Sequence, residues 1–98
     1  MMRVISRNTL KLFWEEHSDA EGPLKAWLRE AQKAQWSCSQ DIKASYASAS
    51  IITSERVVFN IGGNKYRLVV AIHFKSGVVF IRWVGAHREY DAIDVKEV

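Results

Sequence analysis

From Arg56 to Arg88 the chain carries six cations, Arg56, Lys65, Arg67, Lys75, Arg82 and Arg88, and no Asp or Glu; Glu55 and Glu89 stand just outside. A stretch that gathers guanidinium and ammonium groups while excluding carboxylates suits a polyanion, most often a nucleic acid. A solvated sheet face rich in Lys and Arg has the same composition, so charge alone leaves both readings open. Arg67 matters most among these residues. It falls inside a run of alternating character, and its planar fork can hold a phosphate through two parallel bonds. An arginine that merely solvates a sheet face would occupy the same place. Beyond the run lies Val84-Gly85-Ala86-His87-Arg88-Glu89-Tyr90-Asp91. Gly85 lets the chain turn, and one turn of helix would set His87 and Tyr90, three apart, on a common face. An imidazole can give or take a proton near neutrality, and a phenol can stack on a base or donate its hydroxyl. A lone His–Tyr pair is more often a structural contact than a catalytic one. Beside a cluster of cations the pair becomes more interesting.

Two periodicities must hold these residues in place. The first is helical. Arg3–Ile5 can form a short strand, after which Ser6 can cap a helix whose Leu10, Phe13, Trp14 and His17 follow i, i+3, i+4, i+7. The stretch from Asp19 to Pro23 interrupts it, and Pro23 suits the first turn of a second helix. There Leu24, Trp27, Leu28, Ala31 and Ala34 share one face, while Lys25, Arg29, Glu30 and Lys33 point outward. Trp14, Trp27 and Trp36 are expected in the core or between helices. Ser39 can cap a short third helix, Gln40 to Tyr46, with Ile42 and Tyr46 inward.

From Arg56 the period is two. Val57, Phe59 and Ile61 alternate with Arg56, Val58 and Asn60, and Gly62-Gly63-Asn64 supplies the positive-φ residues of a hairpin turn. Lys65 to Phe74 sets Tyr66, Leu68, Val70, Ile72 and Phe74 on one face and Lys65, Arg67, Val69, Ala71 and His73 on the other. Lys75-Ser76-Gly77 turns the chain again. Val78–Val84 returns with Val79, Ile81 and Trp83 opposite Val78, Phe80 and Arg82. The expected class is α+β: N-terminal helices packed on a twisted antiparallel β-sheet. Arg56, Asn60, Lys65, Arg67 and Arg82 all fall out of phase with the core residues, which puts them on the face away from the helices.

Composition bounds the rest. At 98 residues with 48% hydrophobic and 26% charged residues, five Gly and one Pro, the chain is expected to be one globular domain over residues 1–98. No apolar run approaches a membrane span, and Arg3, Arg7 and Lys11 break the stretch a signal peptide would need. A single cysteine, Cys38, excludes an internal disulfide, fits a reducing cytoplasm, and is expected to be buried or partly buried. The net charge of +3 comes entirely from residues 42–98, with eight basic against five acidic; residues 1–41 carry six of each. His17, His73, His87 and Cys38 lack metal-ligand spacing, so no metal or other cofactor is expected. Gly62-Gly63-Asn64-Lys65 is too short for a P-loop and lacks its following helix.

The segments VVFNIGGNKYRLVVAIHF and VVFIRWVGAHREYD together closely resemble the HigB family of toxins from bacterial toxin–antitoxin modules. The opening MRVISRNTLKLFWEEHSDAEGPLKAW resembles that family's N-terminal helices. The resemblance spans nearly the whole chain and places it in the RelE/ParE superfamily, in which two N-terminal helices pack on an antiparallel sheet. It implies a small cytoplasmic endoribonuclease that cuts mRNA on the ribosome, inhibits translation, and is held inactive by a helix-turn-helix antitoxin, HigA. It further implies metal-free cleavage, in which the 2′-OH attacks the adjacent phosphate to give a 2′,3′-cyclic phosphate and a 5′-OH. Arg67 matches the superfamily arginine and would stabilise the phosphate, while His87 stands where a proton-transfer residue is found. Tyr90 would orient or stack the substrate, Lys65 and Arg82 would support as cations, and Arg56, Asn60, Arg82 and Arg88 would bind RNA. Val58 and Asn60 occupy the face on which some RelE-type members carry lysines, so Lys65, His87 or a residue of the ribosome could serve as general base. ParE-like members share the fold but poison gyrase, so a non-enzymatic gyrase inhibitor or basic RNA-binding module is the alternative.

Overall fold

A computed structural model describes residues 1–98. In chain order the elements are β1 (Arg3–Ile5), α1 (Arg7–Glu16), a 3₁₀ turn (Ser18–Ala20), α2 (Glu21–Lys33), α3 (Ser39–Ser45), β2 (Ser50–Thr53), β3 (Arg56–Ile61), β4 (Tyr66–His73), β5 (Val78–Ala86) and a single helical turn, α4 (His87–Tyr90). The strands form one sheet in the order β1-β5-β4-β3-β2. The β3–β4–β5 meander is antiparallel as expected, but β1 pairs parallel to β5, with Val4 opposite Val79, so the sheet is mixed. A parallel pair needs a long crossover, and everything from α1 to β4 supplies it. Strand β2 is not legible as a strand in the sequence. Ile51 and Ile52 are adjacent, its residues are mostly exposed, and its order comes from pairing with β3 at the sheet edge.

The helices cover one face of the sheet. Leu10, Leu24, Trp27, Ala31 and Ile42 from the helices meet Val57, Phe59, Leu68, Val70, Ile72 and Val79 from the strands, all essentially without solvent exposure. Phe59 sits at the centre of an aromatic group, its ring 5.3 Å from Trp27, 6.0 Å from Trp36 and 5.1 Å from Tyr46. Trp27 and Trp36 are therefore core residues as expected, while Trp14 is half-buried at the margin with Lys25 over its ring. Two caps differ from expectation. Ser6 precedes α1 with φ 70°, so its hydroxyl makes no cap bond, and its carbonyl accepts from the Thr9 N–H. Ser39 is the first residue of α3, not its cap. Asp41 secures the approach by accepting from the Ser37 N–H and hydroxyl, both at 2.9 Å. Cys38, in extended backbone just before that helix, is exposed where a buried thiol was expected.

One irregularity changes which side chains share a face. Val69 pairs with Trp83, but Val70 pairs with Ile81, leaving Arg82 as an extra residue in β5. Such a bulge shifts the alternation by one residue. Val79 and Ile81 face the helices as expected. Trp83 does not: it joins the row Val58–Val69–Trp83 on the opposite face, and Val84 packs against the core in its place.

Candidate active site

The face away from the helices is organised in cross-strand rows. Asn60 on β3 pairs with Arg67 on β4, and Arg67 pairs with Gly85 on β5. The neighbouring row is Val58, Val69 and Trp83. Arg67 is half-buried, and its Nη1 is shut off from solvent without a hydrogen-bond partner. Its guanidinium carbon lies 5.8 Å from the centre of the Tyr90 ring, and that ring lies 6.3 Å from Trp83. Arg67 forms no ion pair, and the part of its fork that remains open to solvent is free to hold a phosphate oxygen while the Tyr90 ring flanks the cation.

Gly85 fits this arrangement for a reason other than turning. It lies within β5 at ordinary φ, and a Cβ there would come within 2.5 Å of the Trp83 ring. The missing side chain makes room for the indole beside Arg67. The chain then enters α4 through two bonds: the Glu89 carboxylate accepts from the Ala86 N–H at 2.9 Å, and the His87 N–H donates to the Lys65 carbonyl at 3.1 Å. His87 is exposed at the start of the turn, and Tyr90 is half-buried at its end.

The other cations are placed differently. The Lys65 ammonium is paired with Asp19 on the helix side of the sheet, and the Tyr66 hydroxyl donates to the same carboxylate at 2.6 Å. The bonds from Lys65 and then Tyr66 hold the Asp19 carboxyl below the usual range, and the Asp19 carboxylate raises both Lys65 and Tyr66. Lys65 is thus kept protonated, with its ammonium held by Asp19. Arg56 donates to the carbonyls of Val95, at 3.2 Å, and Val98, and Arg82 donates to the Val98 carbonyl at 3.3 Å. The segment 91–98 therefore runs over this face, where Val58 and Val69 are buried outside the main core. The Asn60 amide donates to the Ser48 carbonyl at 3.2 Å. Arg88 is exposed, and Lys75 stands in the turn at the far end of β4.

Arg67, Tyr90 and the backbone of His87 are thus gathered at one end of the meander, with Trp83, which alternation had placed in the core. The glycine two residues after a tryptophan was the available signal for Trp83. Asp19, the partner of Lys65, carries no sequence signal beyond its charge. No three His, Cys, Asp or Glu side chains gather to form a metal site.

A family profile described as the RelE-like toxic component of a toxin–antitoxin system, HigB toxin, matches residues 20–93. The chain is 30% identical over 92 residues to the mRNA interferase toxin HigB of Escherichia coli K12, covering 92% of this chain and 88% of that one. The mRNA interferases HigB of Escherichia coli O157:H7 and Shigella flexneri match with the same identity and coverage. With a profile match over most of its length and relatives similar over 92% of it, the chain belongs to the HigB family of RelE-like toxins.

Proposed function

We propose that the protein is a ribosome-dependent mRNA endoribonuclease whose centre is Arg67, His87 and Tyr90, and that it acts in the cytoplasm under the control of a HigA-type helix-turn-helix antitoxin. The observation that carries this reading is the half-buried Arg67 guanidinium, without an ion pair and with its carbon 5.8 Å from the centre of the Tyr90 ring. In the reaction the 2′-oxygen forms a bond to phosphorus, the bond from phosphorus to the 5′-oxygen breaks, and the products are a 2′,3′-cyclic phosphate and a 5′-OH. Arg67 stabilises the charge that builds on the non-bridging oxygens. His87 delivers a proton to the departing 5′-oxygen. Tyr90 and Trp83 offer ring faces against which a base can lie. Lys65 is a poor candidate for taking the 2′-OH proton, because its pairing with Asp19 keeps it charged. With His87 supplying the proton to the 5′-oxygen, a residue of the ribosome remains to take the 2′-OH proton.

Primer extension on mRNA from cells briefly expressing the protein tests the reading. Discrete cuts within translated regions, absent with Arg67→Ala, are expected. Intact messages alongside growth arrest would turn the assignment to a non-nuclease toxin.

A further inference from the structure

The first 41 residues are neutral in sum, yet folding sorts their charges. Arg3, Arg7, Lys11, Arg29 and Lys33, five of the six cations in that stretch, line one groove of about 990 Å³ between the N-terminal strand and the first two helices. No acid lines it. None of the five cations forms an ion pair, since the two in the structure are Lys25–Glu21 and Lys65–Asp19. The remaining lining includes Met1, Val4, Ile5 and Leu28, with Trp14 the one aromatic residue. Every residue from Met1 to Asn8 borders the groove, and β1 within that run is one of the sheet's two edge strands.

We propose that this groove is the docking site for the chain's protein partner, and that it takes an acidic segment bearing apolar side chains. Five unpaired cations around an aliphatic lining match carboxylates flanking hydrophobic residues. The edge of β1 offers main-chain groups to which an extended segment can add. Single-stranded RNA would use the cations, but it stacks on aromatic faces, and this lining holds one. Four of the five cations sit on α1 and α2, and none of Arg67, Trp83, His87 or Tyr90 lines the groove, so a partner seated here leaves Arg67 uncovered. The proposal rests on the toxin–antitoxin reading, which supplies the partner.

The test titrates the purified chain with the antitoxin encoded in the adjacent reading frame and, separately, with a 12-nucleotide single-stranded RNA. Arg29→Glu combined with Lys33→Glu, both exposed on α2, should weaken antitoxin binding by roughly 10²-fold. Lys96→Glu combined with Lys75→Glu makes the same charge change outside the groove and should shift that affinity less than about threefold. RNA affinity should be equal in wild type and the groove variant. Equal antitoxin binding by wild type and groove variant overturns the docking site, as does loss of RNA affinity with antitoxin binding intact. Failure of the wild-type chain itself to bind the antitoxin overturns instead the reading on which the proposal rests.

Discussion

Arg67 and Tyr90 are joined as a cation beneath a ring, at 5.8 Å, across the junction between β4 and the single turn α4. The contact restrains the guanidinium while leaving Nη1 unspent. Such a contact is worth about 0.5–2 kcal/mol depending on desolvation. Tyr90→Phe keeps the ring and should retain most cleavage activity. Tyr90→Ala frees the guanidinium and should lower the single-turnover rate on programmed ribosomes by tenfold or more. Equal rates in the two variants would show that the ring does not matter.

Arg67→Ala should fold normally, because its side chain lies outside the core, and should lose about 10²–10³ in cleavage rate. Arg67→Lys should not restore it, since an ammonium lacks the planar fork. Growth arrest as strong as wild type from Arg67→Ala at equal expression would remove Arg67 from the reaction.

Gly85→Ala puts a methyl group against the Trp83 ring and should cost about 1–3 kcal/mol of stability, read from urea unfolding. Gly85→Ala combined with Trp83→Ala should recover much of that loss, because the ring is the closest partner at 2.5 Å and the Glu89 carboxylate oxygen, at 3.2 Å, is the lesser contact. Additive losses in the double variant would mean that Gly85 serves some other need.

The alternation of β3 and the hairpin after it could be read directly, and Arg56–Ile61 is a strand with the expected residues inward. The phase of β5 could not. The extra residue at Arg82 is set by pairing across to Val69 and Val70, and no glycine or proline marks it along the chain. The same limit applies to Arg56 and Arg82. Their face was correctly inferred, but the segment that occupies them, 91–98, has no periodic pattern to announce where it lies. Asn60 is similar, spent on a carbonyl of the chain before β2, a strand too exposed to show an apolar period. Lys65 illustrates the converse: alternation puts its backbone beside the site, and Asp19, 46 residues earlier, takes its side chain elsewhere.

Salt dependence separates free cations from occupied ones. For single-stranded RNA each neutralised phosphate contributes about −0.7 to the slope of log affinity against log salt. Arg88→Ala, at an exposed cation, should make the slope shallower by roughly that amount. Arg56→Ala should leave it unchanged, because that guanidinium already holds Val95 and Val98 carbonyls. Equal changes from both would mean that segment 91–98 leaves this face when RNA binds.

The Asp19 cluster sets a pH window for stability. The folded-state pKa of Asp19 is lowered, so its contribution is present above the ordinary carboxylate range and is lost as pH falls through the folded value. Lys65 and Tyr66 are raised, so theirs is present below about pH 10 and is lost as pH rises through their folded values. Asp19→Asn should flatten both limbs of a plot of Tm against pH while leaving the shape between pH 6 and 9 unchanged. An unaltered acid limb would show that Asp19 is not linked to folding.

The most direct measurement concerns His87. Two ribosome-bound messages are compared in single-turnover reactions, one with the natural 5′-oxygen leaving group and one with sulfur in its place, which departs without a proton. If His87 is the acid, His87→Gln cleaves the oxygen substrate about 10²–10⁴ more slowly than wild type. The same variant then cleaves the sulfur substrate at close to the wild-type rate. An equal defect on both substrates, or none on either, would contradict the account.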